Sequence, residues 1–228
     1  GLRLFEDLQY RYVSYQAWGV NDNYVSEEVG MQPINVDKQY HFFNPRAGVS
    51  YTLAERNNFY LSFAVAQKEP TRSDFTDRYK FAADDTYPSS EKLYDWELGY
   101  QYTAPRLSLG VNLYYMKYKD QLVPTGMVND DSNALNTNVP DSYRRGVELS
   151  ASWRATGWFT VGANATFSQN RIENYVDALK DSPTYGKELG DMTIAYSPDV
   201  IANAFLNFHH RGFEAVFHTQ HVGKQYFT

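Results

Sequence analysis

The residues of this chain that could do chemistry are scattered, and their spacing excludes most chemistries. There are five histidines and no cysteine. His209 and His210 are adjacent while His41, His218 and His221 stand apart, so neither a haem nor a zinc set is spelled out, and no thiolate site or disulfide is available. The sequence lacks the nucleophile elbow G-x-S-x-G, the zinc-protease H-E-x-x-H and the phosphate-cradling G-x-x-x-x-G-K, and an enzyme is therefore not expected. Asp84 with Asp85, and Asp130 with Asp131, offer oxygen ligands of the kind Ca2+ takes. Both lack the Gly and Glu spacing of a calcium loop, so solvated acidic loops are the simpler reading and no other cofactor is expected. Asn164-Ala165-Thr166 matches a glycosylation sequon, but in mid-strand, where it reads as chance.

Composition narrows the partners. The formal charge of -6, from 21 Lys+Arg against 27 Asp+Glu, argues against a nucleic-acid surface, whose affinity comes from neutralising phosphates. Aromatic residues make up 17% of the chain, with 20 Tyr and 14 Phe, which suits membrane-interface belts and strand propensity alike. No run approaches 18 apolar residues, and the mean hydropathy is -0.58. That excludes a helical span but not a barrel, whose strands are apolar at only half their positions.

The elements that must position any site are strands. From Glu91 to Val123 two alternating segments flank the turn Ala104-Pro105-Arg106. Tyr94, Trp96, Leu98, Tyr100 and Tyr102 share one face, while Asp95, Glu97, Gly99 and Gln101 share the other. Leu107, Leu109, Val111, Leu113 and Tyr115 continue the apolar face on the return segment. Strands of soluble domains usually stop after about 5 to 6 residues. Glu91 to Thr103 reaches about 43 Å at about 3.3 Å per residue, and a tilt of about 45° leaves about 30 Å, the thickness of a bilayer core.

The same alternation recurs near 8–18, 40–52, 59–67, 143–155, 158–170 and 200–208, and begins again at Phe213. Turns near 54, 105, 157 and 211 are short, whereas the connections 19–38, 68–90, 124–142 and 171–196 are long. Strict alternation of short and long is the mark of an up-and-down barrel in an outer membrane. The apolar faces carry aromatics at both ends, such as Phe43 and Tyr51 around Val49, or Tyr143 and Trp153 around Leu149. The expected fold is all-β: an antiparallel up-and-down transmembrane β-barrel, partial, with about eight strands, short periplasmic turns and long extracellular loops. Residues 1–228 belong to one barrel domain. The competing reading is a secreted β-sandwich binding module with the apolar faces turned inward.

Five blocks, in order, resemble the barrel of TonB-dependent outer-membrane receptors of Gram-negative bacteria. They are FFNPRAGVSYTL, NNFYLSFAVAQKEPTRSDF, SSEKLYDWELGYQYTAPRLSLGVNLYYMKYKDQLV, SYRRGVELSASWRATGWFTVGANATFSQN and SPDVIANAFLNF. The most specific parts are Lys68-Glu69-Pro70 with Asp74, Glu91 followed by Glu97-Leu98-Gly99-Tyr100, and Gly146-Val147-Glu148-Leu149.

The resemblance implies a transporter of the bacterial outer membrane with a barrel of about 22 strands, filled by an N-terminal plug and driven by the TonB complex. Against that pattern the chain is expected to be an internal section from the later part of the barrel, lacking plug and energy-coupling box. Its partners would be outer-membrane lipid, the plug and the remaining strands. The implied cargo is a scarce nutrient complex, foremost an iron chelate such as a ferric siderophore; cobalamin, haem and glycan receptors share the barrel. Substrate would bind at the outer mouth, where Arg72, Arg78, Tyr79, Tyr87, Tyr175 and Tyr185 suit a planar anionic chelate through stacking and charge. Alternation places Arg46, Glu97, Glu148, Arg154 and Asn164 inside, facing the plug, where charges need partners.

Overall fold

The computed structural model describes residues 1–26, 30–76, 87–128, 134–177 and 182–226. They form one antiparallel sheet: β1 (Leu2–Ser26), β2 (Gly30–Leu53), β3 (Asn57–Lys68), β4 (Glu91–Ala104), β5 (Leu107–Val128), β6 (Ala134–Arg154), β7 (Phe159–Ile172), the two-residue β8 (Met192–Thr193), β9 (Val200–His210) and β10 (Phe213–Val222). A five-residue helix, α1 (Arg72–Thr76), follows β3. The strand order is β1-β2-β3-β4-β5-β6-β7-β9-β10, with β8 paired to β7 beside that path. Each strand thus lies next to its neighbour in sequence, the up-and-down arrangement. β1 and β10 each have a partner on one side only, so the sheet is open.

Registers carry the alternation across the sheet. One apolar row runs Leu61, Leu98, Leu113, Val147 and Phe167, each the Cα partner of the next. One step along the strands, Phe63, Trp96 and Tyr115 form an aromatic row with ring centroids 5.2 and 5.7 Å apart. At the opposite end Trp158, Phe159 and Phe208 close the face, with Phe159 and Phe208 stacked at 4.7 Å. These side chains point away from the protein, and Leu98 stays 51% exposed. So large an apolar face on water would be costly, whereas hydrocarbon flanked by two aromatic belts is its natural solvent.

Short turns fall at one end. Pro105-Arg106 joins β4 to β5, and Arg211-Gly212 joins β9 to β10 with φ of 49° and 81°, a two-residue turn at positive φ whose twist matches the right-handed twist of its strands. Pro45 interrupts a ladder as a missing N–H must: β2 pairs with β3 only from Arg46 to Leu53. Beyond it the Gln67 side-chain amide donates to the Phe43 carbonyl (2.9 Å).

At the other end the structure differs from the sequence-based reading. Much of 19–38 and 124–142, expected as loop, is strand: β1 and β2 pair out to Ser26 and Gly30, and β5 and β6 out to Val128 and Ala134. These ribbons pass beyond the aromatic row and bury apolar residues of their own, Val36 on β2, Val123 on β5 and Leu135 and Val139 on β6, without the strict alternation that lipid on one side imposes. The stretch after β7 keeps a looser form, with β8 and a single bridge between Val176 and Glu188. The path holds nine strands, plus β8, against about eight expected from the alternating segments; the one that begins at Phe213 is a full strand, β10.

Candidate functional site

The face opposite the apolar rows is polar, and the register arranges it as a lattice. Ser62, Glu97, Tyr114, Gly146 and Ser168 form one row across β3 to β7. The next holds Tyr60, Gly99, Asn112, Glu148 and Thr166, and in it Asn112 Nδ2 donates to Glu148 Oε2 at 3.2 Å. Asn164 lies one row further, opposite Asn203, whose Nδ2 donates to Asn164 Oδ1 at 3.0 Å. Arg46 stands opposite Asp7 with its guanidinium 5.6 Å from the Phe5 ring centroid. Arg154 sits at the short-turn end, opposite Thr160. All five residues expected inside therefore occupy this one face. Asp95, Tyr60, Tyr114 and Asn112 belong with them, and the alternation that selected Glu97 equally selects these.

Among the described residues, four buried polar atoms have no hydrogen-bond partner: Tyr40 Oη, Asp95 Oδ1, Asn112 Oδ1 and Asn207 Oδ1. By strand parity all four belong to the polar face. Buried polar groups are nearly always bonded, and three of these four are acceptors, so this face is suited to donors brought from outside the sheet.

At the long-connection end, the chain after β3 folds back. Both Glu69 carboxylate oxygens accept from the Arg11 guanidinium, which also lies 4.9 Å from the Phe42 ring centroid. Thr71 donates from its backbone N (2.7 Å) and hydroxyl (2.6 Å) to Asp74 Oδ2, so the Asp74 carboxylate reaches back to hold the start of α1. Phe75, only 1% exposed, stacks on Tyr15 at 5.0 Å and meets the edge of Tyr87 at 5.8 Å. The Tyr87 hydroxyl donates to the Asn35 carbonyl (2.5 Å). Asn136 donates to Asp74 (2.9 Å), and Asn138 exchanges hydrogen bonds with the backbone of Ser89. Residues 69–76 and 87–90 thereby tie the outer ends of β1 and β2 to that of β6.

This settles where the expected mouth residues stand. Arg72 is exposed at the start of α1, and Tyr185 is 47% exposed. Tyr87 is held in the fold-back, and Tyr175 packs on the buried cluster of Val123, Val139, Ile172 and Ile194. Arg78, Tyr79, Asp84, Asp85, Asp130 and Asp131 lie outside the described residues. Among the described residues no group of three or more His, Asp or Glu side chains is arranged to hold a metal ion.

An up-and-down antiparallel wall with an apolar, aromatic-belted outer face and a polar inner lattice defines the class: a section of a transmembrane β-barrel. Within it, the family described as TonB dependent receptor-like, beta-barrel matches residues 1–228, and the chain belongs to that family. No curated protein matches it in sequence. Among solved structures it is similar to the copper transporter OprC, with 17% identity, a TM-score of 0.69, and coverage of 97% of this chain and 32% of that one. The ferric yersiniabactin uptake receptor FyuA from Yersinia pestis shows 18% identity, a TM-score of 0.68, and coverage of 100% and 32%. The FrpB iron transporter from Neisseria meningitidis (F3-3 variant) shows 19% identity, a TM-score of 0.63, and coverage of 97% and 30%. This chain thus spans about a third of the length of each. At these identities the likeness is one of fold.

Proposed function

We propose that this chain is a section of the wall and outer mouth of a TonB-dependent receptor in a bacterial outer membrane, one that imports a scarce nutrient complex, most specifically an iron chelate. The observation that carries the reading is the two-faced wall: lipid-compatible rows outside, and a polar lattice inside with carboxylates at Asp95, Glu97 and Glu148 and acceptors left open. Such a face suits a folded plug that brings N–H, Lys or Arg donors. The plug, the remaining strands and the TonB complex complete the transporter. Iron is favoured over other cargo because FyuA and FrpB carry ferric or iron cargo in their names; exposed Arg72 and Tyr185 suit an anionic, planar chelate.

The test is uptake of labelled ferric siderophores, haem, cobalamin and copper by iron-limited cells with and without the gene carrying this sequence. Loss of one ferric complex supports the iron reading. Loss of copper or cobalamin uptake instead keeps the transporter and replaces its cargo.

A further inference from the structure

At the outer end of the apolar face, five cations interleave with the aromatic belt. Lys92 is the register partner of Lys119. One row toward the membrane run Tyr94, Lys117, Tyr143 and Arg171, and one row further Trp96, Tyr115, Arg145 and Gln169. Lys92 Nζ lies 4.9 Å from the Tyr94 ring centroid and the Arg145 guanidinium 5.2 Å from that of Tyr143, so both cations rest on belt aromatics. Among the described residues, the carboxylates that ion-pair in the patch are Asp141 and Glu173. Asp141 Oδ1 binds Lys117 (3.0 Å) and Lys119 (2.5 Å), and Glu173 binds Lys117. Arg145 donates to Gln169 and Arg171 to Thr193, both neutral. Among the described residues no carboxylate forms an ion pair with Lys92, Arg145 or Arg171. A chain of net charge -6 has thus placed a cationic excess on the face that otherwise carries its most apolar rows.

Depth identifies what this excess meets. A two-residue step along a strand tilted by about 45° rises about 5 Å, so the three rows occupy a band about 10 Å deep. The row just below is aliphatic: Leu98, Leu113 and Val147. The cations therefore stand where hydrocarbon gives way to headgroups. The anionic group that charged membrane lipids most commonly place at that depth is phosphate, which an Arg fork grips in two places and a Lys as a point charge.

We propose that Lys92, Lys119, Arg145 and Arg171 form a binding site for the phosphate of an outer-leaflet lipid headgroup, with Lys117 held by Asp141 and Glu173 as its fixed centre. The acyl chains of that lipid run down the Leu98–Leu113–Val147 row. The proposal rests on the membrane orientation given above.

Native mass spectrometry of the complete receptor carrying this sequence, released from detergent, reads the site directly. With equimolar diphosphoryl lipid A and its dephosphorylated form, the phosphorylated lipid is retained at least about tenfold more, the order of one charge-assisted contact. The quadruple variant K92A/K119A/R145A/R171A loses that preference, and millimolar inorganic phosphate fails to displace the lipid. Equal retention of both lipids by the unaltered receptor overturns the site whatever the variant does, as does displacement by free phosphate. Recovery of the receptor outside the outer-membrane fraction would instead overturn the orientation.

Discussion

The ring of Tyr60 lies directly across Gly99 on the neighbouring strand, inside van der Waals contact of the position a Cβ there would take. The same relation recurs between Phe5 and Gly48, Tyr114 and Gly146, and Phe205 and Gly162, always on the polar face. Large rings thus fill the space their glycine partners leave, which pins the register of four strand pairs.

The four glycines should not respond alike. At Gly99 the obstacle is the far end of the Tyr60 side chain, which can swing into the lumen. At Gly146 the added carbon also meets the Phe167 carbonyl, which is fixed in the β6–β7 ladder. Gly146→Ala is therefore expected to cost about 2 to 3 kcal/mol and Gly99→Ala about 1 kcal/mol or less. Heat-induced unfolding of the receptor in detergent, followed by gel migration, orders the two.

The inner carboxylates should matter to transport more than to folding. Glu148→Gln keeps the acceptor for Asn112 but removes the charge offered to a partner in the lumen. Uptake is expected to fall by on the order of tenfold with barrel assembly unchanged, the scale of one lost charge-assisted bond. Equal loss of assembled barrel would make Glu148 a structural residue.

Phe75 holds the fold-back. Its removal in Phe75→Ala empties a site enclosed by Tyr15 and Tyr87, and a buried phenylalanine is worth about 3 to 5 kcal/mol. The loss is local. Hydrogen exchange should quicken across residues 69–76 and 87–90 while the β3–β4 ladder keeps its protection.

What the sequence disclosed and what it withheld follow from solvent. Between the belts each strand has lipid on one side and lumen on the other, so β4 and β5 alternate strictly and their bounds at Ala104 and Leu107 match the expected turn. Past the belts no strand faces lipid, burial is confined to single residues such as Val36, Val123 and Val139, and the ribbons ending at Ser26 and Val128 left no strict alternation to read. α1 is one turn long, too short for a helical period. The inner residues Glu97 and Glu148 were legible by parity alone. Tyr87 and Tyr175 were not separable from Tyr185, because residue type cannot tell a ring held in packing from one standing in water.

The central claim is that the apolar face meets lipid and the polar face a wet lumen. This chain has no cysteine, so in a receptor cleared of any cysteine elsewhere, single cysteines at Leu98, Leu113, Glu97 and Asn112 can each carry a spin label within the membrane. Labels at 98 and 113 are predicted to relax with dissolved oxygen and not with a water-soluble nickel chelate, and labels at 97 and 112 the reverse. Burial of 98 and 113 from both agents, with 97 and 112 open to bulk water, would describe a soluble sandwich and contradict the account.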